Sequence, residues 1–220
     1  MVQPKISLNK LGEYMDASPA RRRRIIEDQI NPKDFVAARY TDAREKITDY
    51  ISGNIEEKQL IDAADSLRNQ SYESSFIAQD KNLSADAIDD FLEVSDQLPS
   101  GYKLEKVPAN NKSTLELSGV SVSIRPDIYL KDDNDKVVGG IKLHFPKSNP
   151  LSTVSGEFVA TALKAFLQND SPNVVDPKLC VVVDVPSAAV FSAPKAGKKR
   201  MTDLEAACEE ISDRWKAKTS

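Results

Sequence analysis

The sequence predicts an α/β protein with a helical N-terminal region, and two observations carry this prediction. Through residues 1–98, apolar residues recur at the three- and four-residue spacing of a helix, as in residues 56–69. After residue 99 the period changes to two, and in residues 122–130 apolar and polar residues alternate as in a half-buried strand. The second part is therefore expected to contain a mixed sheet with helices.

Composition and charge limit the possible functions. The chain has 220 residues, of which 40% are hydrophobic, and this fraction supports a packed core. The formal net charge is −4, which does not suggest tight nucleic-acid binding by the whole surface. Residues 1–98 carry a net charge of −6 and residues 99–220 a net charge of +2. A nucleic-acid surface is therefore expected in the second part.

The chain offers few soft metal ligands, since it has two cysteines and one histidine. A structural zinc site needs more of them, so Cys180 and Cys208 are predicted to be buried free thiols. No apolar run approaches the ~18 residues of a membrane span, so no membrane partner is expected. These features predict a cytoplasmic protein.

A polar connection rich in Pro, Gly and Asn, residues 99–113, is the predicted domain boundary. The helical region, residues 1–98, is expected to provide the surface for a protein partner. Its helices are predicted to begin at Pro19, at Pro32 and after Ser84, where capping residues or proline stand.

Residues 99–220 form the second predicted domain. Three consecutive antiparallel strands are expected in residues 114–145, followed by a helix over residues 154–168. Residues 179–185 are almost entirely apolar, which is typical of a central parallel strand. The last helix is predicted to begin at the capping box of Thr202 and Glu205.

From residue 85 onward the predicted order is helix, three strands, helix, strand, helix. Pro126-Asp127 lies on the second strand and Gly140-Ile141-Lys142 on the third. This order and these residues resemble the PD-(D/E)XK nuclease-like superfamily. The resemblance implies an αβββαβ core and a metal-dependent nuclease. It also implies that Asp127 binds Mg²⁺ or Mn²⁺ and that Lys142 positions the attacking water, chemistry that a hard cation supports.

The motif departs from the superfamily at Gly140, where an acidic residue is expected. The resemblance implies that an acid on the following helix can replace it, so Glu157 is predicted as a metal ligand and catalytic residue. Glu116 and Glu93 are further candidates. The alternative interpretation of Glu157 is an acid that stabilises the start of its helix.

The alternative interpretation of Asp127 and Lys142 is a cross-strand salt bridge on a solvated face. Two functions follow. The first is a nuclease or DNA-processing protein, of a kind that the resemblance associates with bacterial mobile elements and antiphage systems. The second is an inactive nuclease-fold module that binds protein or nucleic acid and needs no cofactor.

Basic residues before the last helix are the predicted DNA contacts, because they cluster in the more positive half of the chain. They are Lys195, Lys198, Lys199 and Arg200. Arg125, beside the Pro126-Asp127 pair, is predicted to contact nucleic acid as well. The alternative for the cluster is a solvated loop.

Overall fold

Helices dominate the first part of the chain. A computed structural model describes residues 3–32, 39–108, 113–171 and 174–219. A short strand opens the described part, and five helices follow it before residue 99 within these ranges. The elements are β1 (Lys5–Ser7), α1 (Leu8–Asp16), α2 (Pro19–Ile30), α3 (Thr41–Ile51), α4 (Glu57–Asn69) and α5 (Ser75–Leu92).

Strands and two long helices make up the second part, which confirms the α/β class. The elements are β2 (Lys103–Lys106), β3 (Ser113–Leu117), β4 (Val120–Ile124), β5 (Ile128–Lys131), β6 (Val137–His144), α6 (Thr153–Asp170), β7 (Cys180–Asp184), β8 (Ala189–Ser192) and α7 (Lys198–Thr219). None of the described helices is long and apolar enough to cross a membrane.

The strands form two sheets. A three-stranded sheet has the order β1-β4-β3, with β1 parallel to β4. A five-stranded sheet has the order β2-β5-β6-β7-β8, and β6 and β7 are its parallel pair. All five residues of β7 are buried, which confirms the predicted central strand.

The five-stranded sheet lies between two helical layers. One face packs against α3, α4 and α5 through the core that contains Ile128, Ile141 and Val183. The other face, with Cys180 and Val182, belongs to the core that α1, α6 and α7 share with the smaller sheet. This is a layered arrangement in which each sheet face is buried by helices.

The predicted antiparallel meander was wrong at its centre. β3 and β4 pair as expected, but the single strand predicted over residues 122–130 is divided between the two sheets. Pro126 has no backbone N–H to donate to a strand neighbour, and the chain changes sheets at this point. Asp127 therefore lies at the junction between β4 and β5.

Helix boundaries also differ from the sequence prediction at two positions. No helix begins after Ser84, because Ser75–Leu92 contains no glycine or proline and continues through this buried serine. α7 begins at Lys198 rather than Thr202, whose hydroxyl donates to the Lys198 carbonyl inside the helix.

The helix predicted to begin at Pro32 falls partly outside the described residues, and α3 begins at Thr41. α2 begins at Pro19 and α6 spans Thr153–Asp170, both as predicted.

Contacts cross residue 99, where the domain boundary was predicted. Lys5 of β1 is paired with Ser121 of β4, and α3, α4 and α5 share a core with the five-stranded sheet. The boundary itself stays a prediction.

The close approach of Gly139 to Leu179 yields a stability prediction. A Cβ at Gly139 would overlap the Leu179 carbonyl oxygen, which belongs to backbone that cannot move freely. Gly139→Ala should lower the free energy of unfolding by about 1–3 kcal/mol through overpacking. Urea denaturation measures this. Gly197→Ala is the matched control, since a Cβ there meets nothing closer than 3.5 Å, and equal losses in both variants would contradict the packing.

Candidate functional site

Asp127, one residue before β5, lies opposite Lys142 of β6. Ile128 is paired with Ile141 in the antiparallel register, and the Asp127 N–H donates to the Ile141 carbonyl at 2.8 Å. This register places the two polar residues side by side, as the sequence predicted. Their surroundings differ from the solvated face considered as an alternative, because each residue is only 7% exposed.

The Asp127 carboxylate accepts hydrogen bonds on both oxygens. Oδ2 accepts from Lys142 Nζ at 2.8 Å and from the Leu143 N–H at 2.8 Å. Oδ1 accepts from the Arg44 guanidinium, which comes from α3 on the helical layer. A buried carboxylate is tolerated where charges and N–H groups surround it in this way.

The pKa of Asp127 reflects these partners. Burial raises it, but the charges of Lys142 and Arg44 and the Leu143 N–H outweigh burial and hold the pKa below its ordinary value. Burial lowers the pKa of Lys142, and Asp127 opposes that shift. The lysine also donates to the Arg125 carbonyl at 2.7 Å.

Arg44 connects this pair to the helical region. Its guanidinium carbon lies 5.0 Å from the centre of the Phe145 ring, within the range of a cation–π contact. The Arg44 side chain is 40% exposed, whereas Asp127 and Lys142 are buried. Arg44, Asp127 and Lys142 are called the ion-pair triad below.

The residues present do not fit the divalent metal that the superfamily resemblance implies. Mg²⁺ and Mn²⁺ need several oxygen ligands with free lone pairs, and both oxygens of Asp127 already accept from cations or N–H groups. Within the described ranges, no group of three or more histidine, cysteine, aspartate or glutamate residues could hold a metal ion.

Gly140 lies under α6 rather than beside an open site. A Cβ at this position would be 3.2 Å from Leu167 Cδ1, 3.3 Å from the Ile128 carbonyl and 3.9 Å from Leu163 Cδ1. An acidic side chain at residue 140 would enter this apolar contact and carry a desolvation penalty. Residue 140, where the resemblance leads us to expect an acid, is therefore a close packing contact between β6 and α6.

Glu157 is paired with another cation. It lies in the second turn of α6 and forms an ion pair with Arg200 of α7, whose guanidinium lies 5.1 Å from the centre of the Phe158 ring. The predicted role of Glu157 as a metal ligand stays a prediction. Of the other acids considered, Glu116 accepts from Gln3 Nε2 at 2.9 Å and Glu93 is exposed.

The predicted nucleic-acid contacts differ in their exposure and in their partners. Lys195, Lys198 and Lys199 are exposed, and among the described residues none of them forms an ion pair with an acid. Arg200 is held by Glu157. Arg125 is exposed and lies beside the triad, since its carbonyl accepts from Lys142. The cluster was predicted to precede the last helix, but Lys198 and Lys199 lie in the first turn of α7 and only Lys195 lies before it. The three lysines are called the lysine loop below.

A second buried polar pair was not predicted. His144 and Asp184 are partners in the parallel β6–β7 register, and His144 Nε2 lies 3.8 Å from Asp184 Oδ1. The imidazole Nε2–H donates to the Asn149 carbonyl at 2.9 Å. Asp184 Oδ2 accepts from the Leu151 N–H at 3.0 Å and from the Ser187 hydroxyl. The signal in the sequence was a carboxylate inside the otherwise apolar strand β7.

Burial shifts the pKa values of both members of this second pair. It lowers the pKa of His144 and raises the pKa of Asp184, although each residue opposes the shift of the other. Among the described residues, His144 Nδ1 and Asp184 Oδ1 are buried without a hydrogen-bond partner. The hydrogen bond that His144 donates to Asn149 and the one that Asp184 accepts from Leu151 join the pair to the connection between β6 and α6.

Comparisons with known proteins find no match to this chain, whether with family models, curated proteins or solved structures. The resemblance to the PD-(D/E)XK superfamily therefore stays a prediction, and the residues themselves carry the functional argument.

The triad predicts a large asymmetry between single and double substitutions. Asp127→Ala should lower the free energy of unfolding by about 3–5 kcal/mol, because it leaves Lys142 buried without its carboxylate. Adding Lys142→Met should recover part of this loss, since no buried charge then remains. Chemical denaturation of the two single variants and the double variant measures the coupling.

The control for this cycle is Glu105→Ala, which removes a 43% exposed partner of Lys131. We expect a loss of about 0–1 kcal/mol there. Additive effects of Asp127→Ala and Lys142→Met would show that the two side chains do not depend on each other.

A pH dependence follows from the lowered pKa of Asp127. The stability that its ionised form contributes is fully present above the ordinary value of 3.8 and is lost as pH falls through the lower folded pKa. The difference in unfolding free energy between the wild type and Asp127→Asn should therefore shrink between about pH 5 and about pH 1. Urea denaturation at several pH values measures it, with the exposed Asp133→Asn as control. A difference that is constant with pH would contradict the ion pair.

Proposed function

We propose that this chain is a non-catalytic nucleic-acid-binding module built on an α/β core that resembles the PD-(D/E)XK fold. One observation carries the non-catalytic part: Asp127 directs both carboxylate oxygens to Arg44, Lys142 and Leu143 rather than to an open site. A carboxylate held in this way supports the structure by fixing α3 to the sheet.

Lys142 supports the same conclusion. Its ammonium donates to Asp127 and to the Arg125 carbonyl, and its side chain is 8% exposed. A lysine that orients an attacking water needs access to that water and to the phosphate. Hydrolysis by metal-activated water would also need ligands that Asp127 does not offer in this arrangement.

The lysine loop supports nucleic acid as the partner. Lys195, Lys198 and Lys199 are exposed cations in the more positive half of the chain, at and just before the start of α7. Exposed lysines bind phosphates mainly by releasing counterions. Each contact therefore adds roughly 0.7–0.9 to the steepness with which the logarithm of the binding constant falls with the logarithm of the salt concentration. Such binding tolerates any sequence.

A metal-dependent nuclease is the second candidate, and the adjacency of Asp127 and Lys142 favours it. It requires Arg44 to leave Asp127, and Glu157 to leave Arg200 if Glu157 is the second ligand. A role in bacterial mobile elements or antiphage systems belongs to the same resemblance and is proposed on that ground alone.

A protein partner for the helical region is proposed separately from the nucleic-acid surface. Large apolar side chains on α4 and α5 are exposed, namely Ile61, Phe76 and Ile77. Exposed apolar residues on neighbouring helices are a common feature of protein interfaces.

The test combines binding and cleavage in one sample. The protein should bind a labelled oligonucleotide in the presence of Mg²⁺ or Mn²⁺ and leave its length unchanged, as measured by fluorescence anisotropy and then by gel electrophoresis. Lys195→Gln with Lys199→Gln should weaken binding and lower the salt slope by roughly 2, because two phosphate contacts are lost. Lys58→Gln with Lys136→Gln is the charge-matched control and should change neither quantity.

Three results would overturn the proposal. Metal-dependent cleavage that Asp127→Asn abolishes would establish the nuclease instead. Binding that falls equally in the two double-lysine variants would show that the lysine loop is not a specific surface, and loss of all binding in the wild type would remove nucleic acid as the partner.

A further inference from the structure

A cleft lies at the end of the five-stranded sheet that is remote from the His144–Asp184 pair. Its volume is about 380 Å³, within the range of small-ligand sites. One wall is the connection between α5 and β2, with Gln97 and Tyr102, and the other is formed by β7, β8 and the turn before β7. The ion-pair triad takes no part in this cleft.

The cleft combines an apolar surface with an exposed aromatic ring. Leu179, Val181 and Val190 line it; Leu179 and Val190 are partly exposed, whereas Val181 is buried. Tyr102 stands at the wall and is 38% exposed, which is high for a large aromatic residue. An exposed ring next to an aliphatic surface can stack against a flat ligand ring.

Polar groups of the cleft are few and of different kinds. Lys178 supplies the cation, and among the described residues its ammonium forms no ion pair. The Asp176 side chain accepts from the Lys178 backbone N–H at 2.9 Å, which fixes the turn that carries it. Gln97 supplies an amide, which can donate and accept hydrogen bonds, and Ser192 a hydroxyl.

We infer that this cleft binds a nucleotide, with the base on Tyr102 and the phosphate at Lys178. Tyr102 would stack on the flat ring of the base, and Lys178 would bind the anionic phosphate. Gln97 would recognise the base edge, which both donates and accepts hydrogen bonds. Stacking on an aromatic ring beside a cation is how proteins bind single strands without sequence preference.

The inference deepens the proposed nucleic-acid-binding function and rests on it. Lys195 of the lysine loop follows Ser192 of the cleft by three residues, a span of about 10 Å at most. Lys195 therefore lies close to the cleft, within reach of a strand whose unpaired nucleotide occupies it. A free mononucleotide has the same chemistry, and the experiment has one arm for each source.

The mononucleotide arm is an NMR titration of the full chain with AMP, adenosine and inorganic phosphate, each to about 1 mM. AMP should shift the backbone signals of Gln97, Tyr102 and Lys178, adenosine should shift them less, and phosphate alone least. Lys178→Gln should weaken AMP binding several-fold and leave adenosine binding unchanged.

The polymer arm compares labelled single-stranded and duplex oligonucleotides of one sequence. Tyr102→Leu should weaken single-strand binding about tenfold, because one stacked base is lost, and should leave duplex binding unchanged. Tyr102→Phe keeps the ring and should bind like the wild type. Lys58→Gln, on α4, is the control for Lys178→Gln.

The outcomes separate the two proposals. If the lysine-loop variant weakens binding but Tyr102→Leu and AMP have no effect, the nucleotide cleft is wrong and the proposed function stands. If AMP shifts the cleft signals but no oligonucleotide binds, the cleft is a mononucleotide site and the proposed function fails. If AMP shifts no cleft signal and Tyr102→Leu changes no affinity, the inference is overturned.

Discussion

The buried charge of Asp127 is the constraint on which the rest of the structure depends. A carboxylate with 7% exposure is stable only if cations and N–H groups surround it. Lys142 comes from the neighbouring strand, Arg44 comes from α3, and both must reach the same carboxylate. The sheet and the helical layer are thereby fixed relative to each other at one point, and the site has little freedom to accept a metal instead.

Close packing also shapes the α6 side of β6, where Gly140 lies two residues before Lys142 on the same strand face. Gly140 allows Leu163 and Leu167 of α6 to pack directly on the strand, where the superfamily pattern would have an acid. The polar residues of β6 are confined to its last part, at Lys142 and His144, and each lies beside a carboxylate: Asp127, just before β5, and Asp184, at the end of β7. The side chains of Lys142 and His144 are thus buried and held by neighbouring polar groups.

The local sequence pattern predicted some features of the fold and the candidate site but not others. The period of two placed Asp127 and Lys142 on one side of a hairpin, and the apolar run predicted β7 as a buried strand. Arg44 could not be foreseen, because its contact with Asp127 joins segments far apart in sequence. The burial of Asp127 and Lys142 could not be predicted either, since alternation identifies one face of a strand but not whether another element covers that face. The chain's change of sheet at Pro126 had a local signal, the missing N–H, that a strict alternation concealed.

The pairing of β1 with β4 has a consequence for how the protein acquires its fold. Lys5 is aligned with Ser121, so β1 has no strand partner until residue 121 has left the ribosome. Contacts of such long sequence separation require a large loop to close before any stabilisation is gained, and they slow folding. The helical region is synthesised before the sheet and exposes its sheet-facing apolar side chains during this interval, a condition that favours aggregation.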